Sequence, residues 1–283
     1  MRAEELTGHG WVRIIAGRAS DLRGVDPGSV DLVVTSPPYP RIAQWDAQFA
    51  REGATTFEAM HVALERAWKA SYAALVPGGL LAVNIGDAVR SDANGFRLWP
   101  NHAEVLLRAE KVGFTPLPYL LWKKPTNRPN AFLGSGFLPP NAYVTLDCEY
   151  ILLFRRGRLR RFPPHDPRRA LSRYSKAQRD QWFSQVWANV RGARQGPEGR
   201  RTAAFPPEIP RRLIRMFSRV GDLVLDPFAG TGTTLWAAAE LGRNAIGVEL
   251  DPAAVRRLQR RARAFAPQRL SSPGGRAPRR RSA

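Results

Sequence analysis

Apolar residues fall in short runs along this chain, each closed by a residue that cannot continue a strand. Trp11-Val12-Arg13-Ile14-Ile15-Ala16-Gly17 reads as a strand with a glycine stop, and Asp21 to Ser29 as a short helical or turn segment. Leu32-Val33-Val34 is aliphatic at consecutive positions, which predicts a strand buried on both faces, stopped by Ser36-Pro37-Pro38. Between Phe57 and Leu75 the spacing changes to that of a helix, with Met60, Leu64, Ala67, Trp68, Tyr72 and Leu75 on one side. Val76-Pro77-Gly78-Gly79 ends it, and Leu80 to Asp87 is the next buried strand. His102 to Ala109 reads as a helix. Phe114 to Trp122 reads as a strand whose first half, carrying Pro116 and Pro118, belongs at an edge. Residues 126–147 are loop, Glu149 to Phe154 a strand, and Glu208 to Arg219 a helix. Leu223-Val224-Leu225, the helix from Leu235 to Leu241, the strand from Asn244 to Leu250 and an Arg-studded helix over Pro252–Ala266 complete the pattern. About seven strands alternating with helices predict an α/β fold with a doubly wound, mostly parallel sheet. Pro40 to Thr56, with Trp45 and Asp46, is polar and irregular, either a mobile loop over a site or a plain surface loop.

Two strand ends carry candidate chemistry. After Leu32–Val34 comes Thr35-Ser36-Pro37-Pro38-Tyr39. The prolines offer no N–H to a sheet ladder and hold the backbone extended, so the Ser36 hydroxyl and the Pro37 carbonyl face outward as acceptors beside the flat ring of Tyr39. Two acceptors and an aromatic plate suit an exocyclic amine on a planar base. The second end is Asp226-Pro227-Phe228-Ala229-Gly230-Thr231-Gly232-Thr233-Thr234, a glycine loop between a strand and a helix, as in nucleotide-binding βα units. Glu249 closes the next strand nineteen residues after Gly230, where an acid meets ribose hydroxyls in such folds. No G-x-x-x-x-G-K-[ST] loop occurs, and the carboxylate of Asp226 crowds the place of a pyrophosphate. A cationic, phosphate-free nucleoside, S-adenosylmethionine, fits this loop better than a dinucleotide.

Together these motifs resemble the DNA amino-methyltransferases that modify cytosine N4 or adenine N6. Residues 35–39 match their [DNS]-P-P-[YFW] catalytic motif and Asp226 to Gly232 their cofactor loop. The order, catalytic motif first, is that of the permuted β class, and the similarity spans about residues 11–265. The resemblance implies a Rossmann-like methyltransferase sheet whose Ser36, Pro37, Pro38 and Tyr39 are catalytic. It implies a cofactor site of Asp226, Phe228, Gly230, Thr231, Gly232, Thr233 and Glu249, backed by Phe205 and Pro206, although a His often seen before that Phe-Pro is here Thr202. Trp122 and Lys123 are carried over as base-pocket residues. Members with Asp at the first motif position mostly act on adenine, whereas Ser-Pro-Pro-Tyr resembles the cytosine-N4 group.

Charge changes the picture more than overall composition does. The 283 residues carry a formal charge of +20, which calls for a polyanionic partner, and double-stranded DNA is the first candidate. Between Arg155 and Arg201, fourteen Lys and Arg face three acids, interleaved with Phe162, Tyr174, Trp182, Phe183 and Trp187. The resemblance places a target-recognition insertion there, dividing the chain into a catalytic half (1–154), the insertion (155–201), a cofactor half (202–266) and a disordered basic tail (267–283). A cognate restriction endonuclease is the expected functional partner, the oligomer is a monomer or homodimer, and the location is cytoplasmic, since no membrane span or leader is evident. The one cysteine, Cys148, excludes an internal disulfide or a Cys-based zinc cluster, and its apolar surroundings predict a buried thiol rather than a nucleophile. Asp87 is either a site residue or a loop cap. Two rivals remain: a protein-glutamine methyltransferase, whose glycine loop would precede the Pro-Pro-Tyr clamp, and a non-enzymatic DNA-binding protein, which leaves the glycine loop unexplained.

Overall fold

The computed structural model describes residues 10–92, 95–124, 144–192 and 205–265. Its main sheet is built from β1 (Val12–Ala16), β2 (Val30–Thr35), β3 (Leu75–Ile85), β6 (Phe114–Lys123), β7 (Cys148–Arg156), β8 (Val186–Trp187), β9 (Leu223–Asp226) and β10 (Asn244–Glu249). The spatial order is β1-β10-β9-β2-β3-β7-β6-β8. β7 alone runs antiparallel to its neighbours β3 and β6, and every other pairing is parallel. The sheet is the expected doubly wound one with eight strands instead of seven. The extra member, β8, is two residues long and too short to leave a periodic signal.

The interior of the sheet follows from its alternation. Leu32 and Val34 point into one core with Ile151, Leu153, Ile209, Leu213 and Leu235, while Val33 points into the other with Leu64, Trp68, Leu81, Val83 and Leu152. Helices α2 (Phe57–Ala74) and α3 (Asn101–Val112) cover the second face; α6 (Glu208–Phe217) and α7 (Thr233–Glu240) cover the first, and α8 (Pro252–Phe265) packs beside β1 and β10. In α2, Thr56 caps the N-terminus by accepting from the Ala59 N–H, and the chain leaves the helix at Leu75 straight into β3. Among the described residues no helix is long and apolar enough to cross a membrane.

Two elements differ from the sequence expectation. The segment after Tyr39 is not a loop throughout: a 3₁₀ turn (Ala43–Trp45) leads into α1 (Asp46–Arg51), held by the buried Phe49. Between β3 and α3 an antiparallel hairpin intervenes, β4 (Ala88–Asp92) with β5 (Gly95–Trp99). Asp87, just before it, accepts from the His102 backbone N–H and contacts the His102 ring, so it caps α3. Trp122 turns its indole inward, with Nε1 donating to the Val190 carbonyl, and is core rather than base pocket.

The basic segment is tied into the fold. Arg160 pairs with Asp31 at the start of β2, Arg168 with Asp222 just before β9, and Arg219 with Asp166. These pairs lie at the N-terminal ends of β2 and β9, the end of the sheet away from Ser36. Within this segment stand α4 (Pro167–Leu171) and α5 (Lys176–Trp182). The chain then climbs along α6, with Arg212 over Trp187 and bonded to Asn189, and returns toward the strand ends. Trp182 and Trp187 are both buried, so these two of the five interleaved aromatics serve the core.

Candidate active site

β2 and β9 lie side by side, pairing Leu32 with Val224 and Val33 with Leu225. From this pair the chain winds outward both ways, to β3 on one side and to β10 and β1 on the other, so the ligand crevice of a doubly wound sheet falls where Thr35 and Asp226 end. The two ends are bonded: the Thr35 hydroxyl donates to Asp226 Oδ1 at 2.7 Å, and the Phe228 N–H donates to the same oxygen at 3.1 Å. A cavity of ≈ 510 Å³ opens at this point, in the range of small-molecule sites, roughly 300–1,000 Å³.

Its walls bring together most of the residues singled out from sequence. Ser36, Pro38, Phe205, Asp226, Phe228, Gly230, Thr231, Thr233 and Glu249 line it; Pro37, Tyr39, Pro206 and Gly232 do not. Gly232 caps α7 with φ of 79°, and a Cβ there would stand 2.6 Å from Trp236 Nε1 and 2.7 Å from Leu258, so its lack of a side chain lets the helix seat on the loop. Of the two readings left open for Pro40 to Thr56, the one over a site fits: Gln44, Trp45, Gln48 and Glu52 of this stretch line the cavity, joined by Arg18, Leu250 and Asp251, which sequence reasoning missed.

Four carboxylates, Glu52, Asp226, Glu249 and Asp251, line the cavity against three arginines, Arg18, Arg51 and Arg257. Asp226 is 2 % exposed, and burial pushes its carboxyl up to about 6 against the lowering effect of its hydrogen bonds. Among the described residues no Arg or Lys pairs with it. Glu249 is oriented by two backbone donors, Gly230 N to Oε2 and Asp251 N to Oε1, both at 2.8 Å, which leaves its remaining lone pairs for hydroxyl donors. Apolar Phe228, Val248, Leu250 and Ala254 line the cavity beside them. A carboxylate without a cation, an oriented acceptor and an apolar wall fit a sulfonium nucleoside.

Beside the cavity, Tyr39 sits in a polar network. Its hydroxyl donates to Glu149 Oε2 at 2.9 Å, meets Ser36 Oγ at 3.0 Å and accepts from Asn84 Nδ2 at 2.7 Å. Asn84 Nδ2 also donates to Glu149 Oε2, and Lys124 Nζ reaches Glu149 Oε1 at 2.8 Å. Burial, and then the charge of Glu149, push the Tyr39 phenol well above its ordinary value. Farther along the turn, Asn101 Nδ2 donates to the carbonyls of Pro40 and Gly86, and its oxygen meets Nε2 of buried His61, which burial pulls down to about 4 and keeps neutral. Lys123 is exposed near Asp147. Cys148 is half-buried instead of fully buried; burial and the neighbouring Asp147 push its thiol up, away from nucleophilic use.

A parallel crevice with a glycine loop, a carboxylate-bearing cavity and the Ser-Pro-Pro-Tyr turn beside it is the arrangement of an S-adenosylmethionine-dependent amino-methyltransferase. Residues 30–260 match the N6/N4 DNA methylase family model, and the chain belongs to that family. It is 52% identical over 263 residues to the type II methyltransferase M.MjaI of Methanocaldococcus jannaschii, covering 84% of this chain and 87% of that one. A protein classed as a DNA modification methylase from Thermus thermophilus, crystallised with S-adenosyl-L-methionine, superposes with a TM-score of 0.72 at 36% identity, over 90% of this chain and 96% of that one. The PvuII DNA methyltransferase, described as cytosine-N4-specific, shares the fold, with a TM-score of 0.66 at 20% identity over 91% of this chain and 86% of that one. The cofactor is S-adenosylmethionine.

Proposed function

We propose that this chain methylates the exocyclic N4 amine of cytosine at a specific DNA site, as the methyltransferase of a type II restriction-modification pair. The observation that carries the reading is the position of Ser36, a neutral hydroxyl at the first place of the Ser-Pro-Pro-Tyr turn on the wall of the carboxylate-lined cavity. The type II name of the relative from Methanocaldococcus jannaschii supports the restriction-modification setting.

When bound, S-adenosylmethionine supplies a methyl group on a positively charged sulfur. Asp226 and Glu249 hold the nucleoside, with Phe205, Pro206, Phe228, Thr231 and Thr233 around it and Gly230 and Gly232 shaping the loop. Ser36 Oγ and the Pro37 carbonyl hold the amine of an extruded base, Pro38 keeps the turn extended, and Tyr39 presents its ring beside it. Extrusion costs a few kcal/mol, which aromatic stacking, about 1–3 kcal/mol per base, offsets. Because alignment and charge complementarity do most of the work, little acid–base chemistry is needed before the transfer.

Residues 155–201 are the proposed target-recognition insertion between the catalytic half (1–154) and the cofactor half (202–266). Arg160 and Arg168 are already committed to Asp31 and Asp222 at the far end of the sheet, so the DNA-reading part belongs to the stretch that returns to the strand ends, from Val186 onward. Residues 193–204 and the tail (267–283) lie outside the described residues, and the tail is proposed as a non-specific electrostatic arm. Deleting Gln268 to Ala283 is expected to flatten the salt dependence of DNA binding without changing the methylated site. The log–log slope should fall by about 0.9 for each phosphate the tail no longer neutralises. Methylome sequencing of cells expressing the truncated chain checks the site.

Replacing Glu249 with Ala removes a charged acceptor, and a drop of about ten- to hundredfold in S-adenosylmethionine affinity is expected by calorimetry, with DNA affinity retained. The product is decided by mass spectrometry of nucleosides from methylated duplex. N4-methylcytosine is expected; N6-methyladenine alone would replace this reading with the adenine one and leave the family and cofactor untouched.

A further inference from the structure

The hydrogen bonds around Tyr39 have a direction. A tyrosine hydroxyl carries one proton, and here it goes to Glu149 Oε2, an acceptor-only carboxylate. Both N–H bonds of Asn84 Nδ2 are spent on Tyr39 Oη and Glu149 Oε2, and the opposite amide orientation would set its oxygen against a carboxylate. Asn84 Oδ1 is left buried without a partner, a cost accepted to keep both donors on this side. The 3.0 Å contact between Ser36 and Tyr39 must therefore be donated by Ser36. With its proton turned toward Tyr39, Ser36 Oγ can only accept from a group in the cavity.

From this chain we infer that Glu149, acting through Tyr39, fixes Ser36 as an acceptor for the target amine and is the final acceptor of the proton that amine must lose. The inference rests on the amino-methyltransferase reading above and goes beyond it. On transfer, the N–CH3 bond forms as the S–CH3 bond breaks, its electron pair staying on sulfur as the thioether, and the amine nitrogen becomes cationic. One proton then moves from nitrogen to Ser36 Oγ as the Ser36 proton passes to Tyr39 Oη and the Tyr39 proton to Glu149. The products are the neutral methylated amine of the base and a neutral carboxylic acid, so charge balances, and no ionised tyrosine or serine need form. Lys124 Nζ, 2.8 Å from the other Glu149 oxygen and partly solvent-exposed, opens a way for the proton to leave. Glu149 touches neither base nor cofactor and is a positioning residue, a buried carboxylate at the start of a strand whose middle, Ile151 to Phe154, is apolar.

Three proteins test the inference: Glu149→Gln, Tyr39→Phe and the double variant, each assayed by single-turnover methyl transfer to the target duplex. Each single change is expected to slow transfer by about a hundredfold, and the double variant to be no slower than the worse single one, because all three break one chain. Without cofactor, wild-type protein should prefer a duplex whose target base keeps its amine over one carrying an amine-free analogue, and Glu149→Gln should narrow the preference. Cofactor affinity of all variants, unchanged by calorimetry, shows that they are folded. Transfer by Tyr39→Phe within about twofold of wild type, losses that multiply in the double variant, or an amine preference left unaltered in Glu149→Gln would overturn the inference. The wild-type control separates the two levels: no transfer to any DNA amine sinks the underlying reading, while normal wild-type transfer with unaffected variants sinks this inference alone.

Discussion

Ser36→Ala is expected to slow methyl transfer by about a hundredfold while DNA and cofactor affinities stay within about twofold of wild type. The hydroxyl is half-buried, bonded among the described residues only to Tyr39, and on the cavity wall, so its removal leaves the fold intact. What disappears is one acceptor for the amine, an interaction that strengthens as the nitrogen becomes cationic and that therefore counts in the transition state more than in the bound complex. Single-turnover rates and fluorescence anisotropy with labelled duplex measure the two quantities separately. A loss confined to DNA affinity would assign Ser36 to binding rather than to transfer.

The parts of this site legible in the sequence are those written in consecutive residues. A short aliphatic strand stopped by Ser-Pro-Pro, and another opening into a glycine loop, each state a conformation locally, and the rule that ligands sit at the switch point brings them together. Other parts depend on contacts across the chain. Glu149 meets Tyr39 from 110 residues away, and the only local hint is a carboxylate inside the aliphatic run Cys148 to Phe154, which must find a partner if the strand is buried. Helix α1 buries one residue, Phe49, and so shows no amphipathic period. The β4–β5 hairpin does leave a signal, Asn94-Gly95 between alternating residues, but one short enough to pass for a loop between two longer elements. Trp122 and Trp187 show the limit from the other side. An aromatic near a basic run is compatible with base contact, and only packing shows that both indoles are spent on the core.

Asp226→Asn is expected to make the cofactor-free protein more stable and the cofactor site weaker, two effects of opposite sign from one charge. Thr35 and the Phe228 N–H both donate to Oδ1, and an asparagine oxygen accepts the same two bonds, so geometry is kept and only the ionisation is lost. The folded carboxyl is raised to about 6 from an ordinary 3.8. For a raised carboxyl the protonated form suits the fold, so the penalty of burying the charge is absent below about 3.8, grows as pH rises, and is complete above about 6. At neutral pH the difference corresponds to about 3 kcal/mol, which the asparagine variant recovers. Its melting temperature should therefore exceed that of wild type at pH about 7.5 by several degrees, and the gap should close on acidification toward pH about 4. A cationic cofactor reverses the preference, since it stabilises the ionised carboxylate and must displace the proton in the acid range. Wild-type affinity for S-adenosylmethionine should accordingly rise between pH about 5 and 7, with proton release visible as a buffer-dependent calorimetric enthalpy, and the asparagine variant should bind more weakly with neither dependence. Equal melting temperatures near neutral pH, together with an unchanged pH dependence of binding, would show that Asp226 is not the group that senses the cofactor's charge.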